Sequence, residues 1–172
     1  SNENQYFAKR TEQNTVFTLQ KTTVGKIFRS LHDLKDRTLF EFKNDLVQEI
    51  QIRNKKKAFI LKKSKNKWTL TLPKSSNPIK SFIGADILWS LSSVEFESSF
   101  LIDPGNAITG MTEPQASIKL LGQNGSLITH LMIGNFVPKS PELQYLKVVN
   151  NPRTVYTIKK RFLEDILSNI TR

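Results

Sequence analysis

Alternation of apolar and polar residues marks most of the strands. In Gln48-Glu49-Ile50-Gln51-Ile52-Arg53, Ile50 and Ile52 share one face, while Glu49, Gln51 and Arg53 share the other. Ala58-Phe59-Ile60-Leu61 follows the turn Asn54-Lys55-Lys56, and then Trp68, Leu70 and Leu72 alternate with Lys67, Thr69 and Thr71. Ala116, Ile118 and Leu120 alternate with Ser117 and Lys119. A period of two with one polar face predicts an antiparallel sheet wetted on one side. Asn124-Gly125 separates two alternating runs and predicts a hairpin into Leu127, Thr129, Leu131 and Ile133, opposite His130. Residues 95–101 are strand-like.

Spacing of three and four predicts the helices. Val24, Ile27, Phe28 and Leu31 form one apolar face after a cap at Thr22 or Thr23. Ile83, Ile87, Leu88 and Leu91 form another within residues 82–93, capped by Ser81. Phe162, Leu163, Ile166, Leu167 and Ile170 form the last. Pro73 to Pro78 reads as a loop and Asp103-Pro104-Gly105-Asn106 as a turn. The predicted order is β-β-α, β-β-β-α, β-β-β-β-α. Strands joined by hairpins rather than crossover helices predict an α+β fold, with helices on one face of antiparallel sheet.

The two ends of the chain repeat one another. Tyr6-Phe7-Ala8-Lys9, Thr15-Val16-Phe17-Thr18-Leu19 and Ile27 correspond to Tyr145-Leu146-Lys147-Val148, Thr154-Val155-Tyr156-Thr157-Ile158 and Ile166. The offset is 139 throughout, from 145 − 6 to 166 − 27. A constant offset predicts a duplicated unit of hairpin plus helix, with Tyr6 equivalent to Tyr145 and Ile27 to Ile166. Residues 1–38 are then the C-terminal part of a first repeat unit, and residues 39–172 a complete second unit. A preceding set of strands is expected upstream.

Composition changes this picture in three ways. At 172 residues the chain can bury a core without staples. It has no cysteine, which excludes disulfides, thiolate metal sites and thiol nucleophiles. Its net charge of +11 is concentrated: residues 51–85 hold no Asp or Glu but ten of the 26 basic residues, leaving 26 − 10 = 16 basic against 15 acidic elsewhere. The segment includes Arg53, Lys55, Lys56, Lys57, Lys62, Lys63, Lys65 and Lys67. Its functional reading is contact with polyanion: nucleic acid, anionic lipid or acidic glycan, with Phe59 and Trp68 available to stack on bases. The bland reading is a solvated edge whose lysines block strand-to-strand association, with Trp68 in the core. No apolar run approaches 18 residues. The opening Ser1-Asn2 reads as the remnant of a cleaved tag, so the chain is expected to be an excised piece from which any anchor upstream has been removed.

Catalytic chemistry finds little footing. His32 and His130 are the only histidines and have no carboxylate at ligand spacing, so no metal is expected. No phosphate loop or Gly-x-Ser-x-Gly occurs. Asp103, Glu113 and Asp86 could meet in space, or equally serve as a cap, a turn residue and a solvated charge. Neither a catalytic residue nor a cofactor is expected.

The series Trp68-Thr69-Leu70, the helix around Leu88 and Leu91, Gly110-Met111 with Pro114, Ile118-Lys119-Leu120, Met132-Ile133-Gly134 and Tyr145 through Tyr156 resembles the bacterial family called domain of unknown function 4340. Leu34 to Phe40 resembles that family's linker between units. Thr109 and Met111 depart from it, standing where the family usually has Tyr and Leu. The resemblance implies an envelope protein held by an N-terminal membrane helix, often encoded beside ABC-transport or gliding components. It brings no catalytic residue with it. The expectation is a non-catalytic extracytoplasmic interaction or scaffold domain with a protein partner in a membrane complex and no specific nucleic acid. The alternative is a polyanion-binding module using residues 53–67.

Overall fold

The computed structural model describes residues 5–9, 11–12, 14–27, 36–74, 80–101 and 103–171. The chain divides into two compact units, Ser1–Asp36 and Arg37–Arg172. Expectations placed on Phe28, Leu31, His32 and residues 75–79 lie outside the described residues.

The small unit is a two-stranded antiparallel hairpin, β1 (Gln5–Lys9) and β2 (Val16–Gln20), running directly into helix α1 (Lys21–Ile27). Thr22 and Thr23 therefore lie inside the first turn rather than at its cap. Ala8, Leu19 and Val24 are half-buried, while most other positions of the hairpin are exposed.

The large unit is one eight-stranded antiparallel sheet in the order β5-β4-β3-β7-β8-β9-β10-β6. Its strands are β3 (Glu49–Asn54), β4 (Ala58–Ser64), β5 (Lys67–Leu72), β6 (Ser98–Phe100), β7 (Ala116–Leu121), β8 (Leu127–Val137), β9 (Ser140–Val148) and β10 (Val155–Lys159). The expected α+β architecture is what the chain adopts. Two meanders, β3–β5 and β7–β10, are joined by β3 pairing with β7, with Ile52 opposite Ile118. Helices α2 (Ile83–Ser92) and α4 (Arg161–Thr171) bury Ile83, Ile87, Leu88, Leu91, Ile166 and Ile170 in the core. The sheet's contribution alternates as the sequence does: Ile50, Ile52, Leu61, Ile118, Leu120, Leu131, Ile133, Leu146 and Ile158 are all but inaccessible. Leu127 departs from its expected place and is half exposed, beyond a register irregularity between β7 and β8.

The other face of the sheet is only partly wetted. Met111, Tyr145 and Val155 form a second small core there, with Met132 and Val137 against it. A strap lies over it: Asp103, Gly105 and the short helix α3 (Asn106–Thr109), ending at Gly110. Gly110 has φ +70°, the left-handed cap that glycine adopts without strain, and its Cα abuts the Asn135 side chain. At Gly134 a Cβ would lie 1.9 Å from the Thr109 carbonyl oxygen, so strap and strand meet backbone to backbone. Asn135 Nδ2 donates to the Ile108 carbonyl at 3.1 Å, and Lys147 Nζ lies 3.0 Å from Asp103 Oδ2.

The two end copies share the order strand, strand, helix, but their hairpins pair differently. Tyr6 lies opposite Leu19. Its counterpart Tyr145 lies opposite Thr157, where the offset of 139 would set Ile158. Register is enforced where one face is buried, and the first hairpin buries neither face fully.

Candidate functional site

The basic residues contiguous in sequence are divided in space. The chain rises through β3, reverses at Asn54–Lys57, descends β4 and reverses again at Lys65-Asn66. Arg53, Lys55, Lys56 and Lys57 therefore cluster at one end of β4, and Lys62, Lys63, Lys65 and Lys67 at the other. Seven residues of strand separate the turns, about 20 Å at 3.3 Å per residue. The first turn is held by Asn54 Oδ1, which accepts from the Lys56 and Lys57 amides at 2.9 and 2.7 Å. The second is a two-residue loop with positive φ at Lys65 and Asn66, the geometry that matches strand twist. Lys62 is paired with Glu49 at 3.2 Å. Phe59 and Trp68 are both buried in the core, so neither presents a ring to a base.

The carboxylates weighed as a possible cluster do not meet. Asp86 lies on α2, over the helix-covered face. Asp103 lies on the strap across the sheet, where its carboxylate accepts from the Gly105 amide and from Lys147. These bonds, the Gly105 amide first, hold its carboxyl below the usual carboxylate range. His130, on β8 opposite Lys119, has its pKa lowered by burial and by the Lys119 charge. Among the described residues, no three of His, Asp and Glu gather where they could hold a metal ion.

The feature that sequence reasoning missed is on the outer face of α2. Phe82 and Trp89 are 55% and 70% exposed, with Ala85 exposed between them. Positions i, i+3 and i+7 place all three on one stripe. Phe82 occupies the N-cap, so Ser81 is not the cap; its carbonyl instead accepts from the Trp68 amide at 3.4 Å. Beneath the stripe runs a cleft of about 430 Å³, lined by Lys63, Trp68, Phe82, Ala85 and Leu88 among others. Lys80 Nζ stands 5.9 Å from the Phe82 ring. The inward face of α2 dominated the periodic signal. Phe82 and Trp89, seven apart on the opposite face, were the sign that both faces are apolar.

This arrangement is an aromatic stripe on a helix whose other side, at Gly84, is seated on the buried Trp68. Among the described residues, no helix is long and apolar enough to cross a membrane. No curated protein and no solved structure matches the chain. The motif residues have packing roles: Trp68 and Met111 are buried, Gly110 caps α3, and Gly134 admits the strap. The profile of the family described as Domain of unknown function (DUF4340) matches residues 1–104. That span is more than half of the 172 residues, and the chain belongs to this family.

Proposed function

We propose that this is a non-catalytic, extracytoplasmic interaction or scaffold domain of a membrane-anchored bacterial protein, accessory to an ABC-type transport or gliding assembly. The observation that carries the interaction reading is the exposed stripe Phe82, Ala85, Trp89 on α2. Large exposed apolar surface costs solubility, and tryptophan is enriched among residues that dominate protein interfaces. The helix is rigidly placed: Gly84, Ile87, Leu88 and Leu91 are buried on its other side. The resemblance to envelope proteins encoded beside transport components supports the location and the kind of partner. The division of the lysines between two turns weighs against a single polyanion track.

The experiment is a photo-crosslinker at position 89 of the protein in its native membrane. One protein of the membrane assembly should be trapped, and Phe82→Asp should abolish the adduct. Adducts to nucleic acid alone, or none at all, would refute the reading.

A further inference from the structure

The cleft beneath the aromatic stripe is one-sided in charge. Its floor is apolar: Trp68 and Leu88 are both buried, and Gly84 brings α2 against the Trp68 ring. Phe82 and Ala85 line one side and Lys63 another. Phe59, Leu61 and Lys63 alternate onto the helix-covered face of β4, and Lys63 lies directly opposite Trp68 across the hairpin. Lys63 is half-buried there. Lys65 and Lys67 follow at the turn, and Lys80 stands by the Phe82 ring. Among the described residues, no ion pair holds any of these lysines. Two acids lie nearby. Asp45 is in the lining, exposed on the short turn Asn44–Leu46 and not paired with Lys63. Asp86 is exposed on α2, but the cleft takes Ala85 and Leu88. At 3.6 residues per turn Asp86 is about 100° round from Ala85 and farther from Leu88, on the far flank of the stripe.

We propose that this cleft receives an acidic segment of a partner protein, which sets one large apolar side chain against Trp68 and Leu88 and its carboxylates against Lys63 and Lys80. The inference rests on the interaction reading given above and adds to it the chemistry of the partner. A cleft of about 430 Å³ is of the size that encloses a small ligand, so it has room for such a side chain. Phe82 supplies a rigid ring at its side, which gives contact area at little entropic cost. A half-buried ammonium without a counter-charge gains most from an incoming carboxylate, because a charge-assisted hydrogen bond strengthens as water is excluded. The lysines also set the choice of partner: opposite charge speeds encounter, and like charge rejects basic segments. A flat anionic surface laid on the stripe, lipid or nucleic acid, would meet Asp86 on the far flank. A segment seated in the cleft does not.

A photo-crosslinker at position 85, in the cleft wall, tests it in the protein in its native membrane. The trapped peptide, sequenced by mass spectrometry, should be net negative, with Asp or Glu within a few residues of a large apolar residue. Lys63→Glu with Lys80→Glu should cut the adduct yield at least tenfold, while Lys63→Arg with Lys80→Arg should keep it. Lys55→Glu with Lys56→Glu, at the far end of β4, should leave it unchanged, which separates a local contact from net charge. Lys80→Glu alone, at an exposed position outside the strands, should lower the yield and keeps the test readable if Lys63→Glu does not fold. A protein adduct on a neutral or basic segment, or one indifferent to Lys80→Glu, overturns this inference and leaves the interaction reading standing. Adducts to lipid or nucleic acid alone, or none at either position 85 or position 89, overturn both.

Discussion

Gly84→Ala sets two known effects against each other. Gly84 is in the first turn of α2, and a Cβ added there would meet three Trp68 ring atoms, Cδ2, Cγ and Cε2, at 2.2, 2.3 and 2.6 Å. Alanine in place of glycine within a helix gains about 0.8–1.0 kcal/mol. Forcing a methyl into a packed core costs about 1–3 kcal/mol. The upper part of that range applies, because the atoms struck belong to a rigid ring that is only 5% exposed and whose strand is paired with β4. The net expectation is a loss of about 1–2 kcal/mol, or about 4–8 °C in Tm for a unit of this size. A urea titration followed by Trp68 emission, in a Trp89→Phe background so that only the buried ring reports, should show the lower midpoint and a red-shifted native spectrum. A higher midpoint, by roughly the helix-propensity gain of 0.8–1.0 kcal/mol, with unchanged emission would show that α2 is not seated on Trp68. The placement of the aromatic stripe would then fall with it.

Other expectations follow from the same geometry. Gly134→Ala should cost about 2–3 kcal/mol by denaturant titration and speed exchange of the Ile108 to Gly110 amides, since the Thr109 carbonyl in its way is backbone that cannot rotate aside. His130 has a lowered pKa in the folded chain, so the unfolded chain takes up the proton first. Its stabilising contribution is present above about pH 6.5 and is lost as pH falls toward the folded value; unfolding free energies across that window should decline more steeply in the wild type than in His130→Gln. Changing Lys55, Lys56 and Lys57 together to Ala should leave stability within about 0.5 kcal/mol, because the Asn54 bonds are to main-chain amides. It should weaken low-salt retention on heparin, while binding of DNA tighter than about micromolar at physiological salt would favour the polyanion module instead.

Much of the fold was legible because its signals are local. Ile50, Ile52, Ile118 and Leu120 announce their strands by alternation, and each is buried as that pattern requires. Asn124 and Gly125 adopt the positive φ that their turn needs. Trp68 alternates with Leu70 and is core, as its spacing suggested. The pairing of β3 with β7 was not legible, because it joins segments more than sixty residues apart and no turn specifies it. The second core was missed for a related reason: Met111 on the strap reaches Tyr145 and Val155 only once the sheet exists. The charge run shows the opposite failure. Lys55 and Lys65 belong to one run of basic residues, yet the strand between them carries their charges to opposite ends of β4. Ser81 and Thr22 have capping side chains, but Phe82 takes the cap of α2, and α1 begins at Lys21 without a turn to spare.

The function proposed above places the domain outside the cytoplasm, held at a membrane. Protease added to spheroplasts of the native bacterium tests it most directly, with the membrane and soluble fractions probed in parallel. The account predicts that the protein sediments with the membrane and is digested from outside while a cytoplasmic marker survives. Recovery in the soluble cytoplasmic fraction, intact until the cells are lysed, would contradict it.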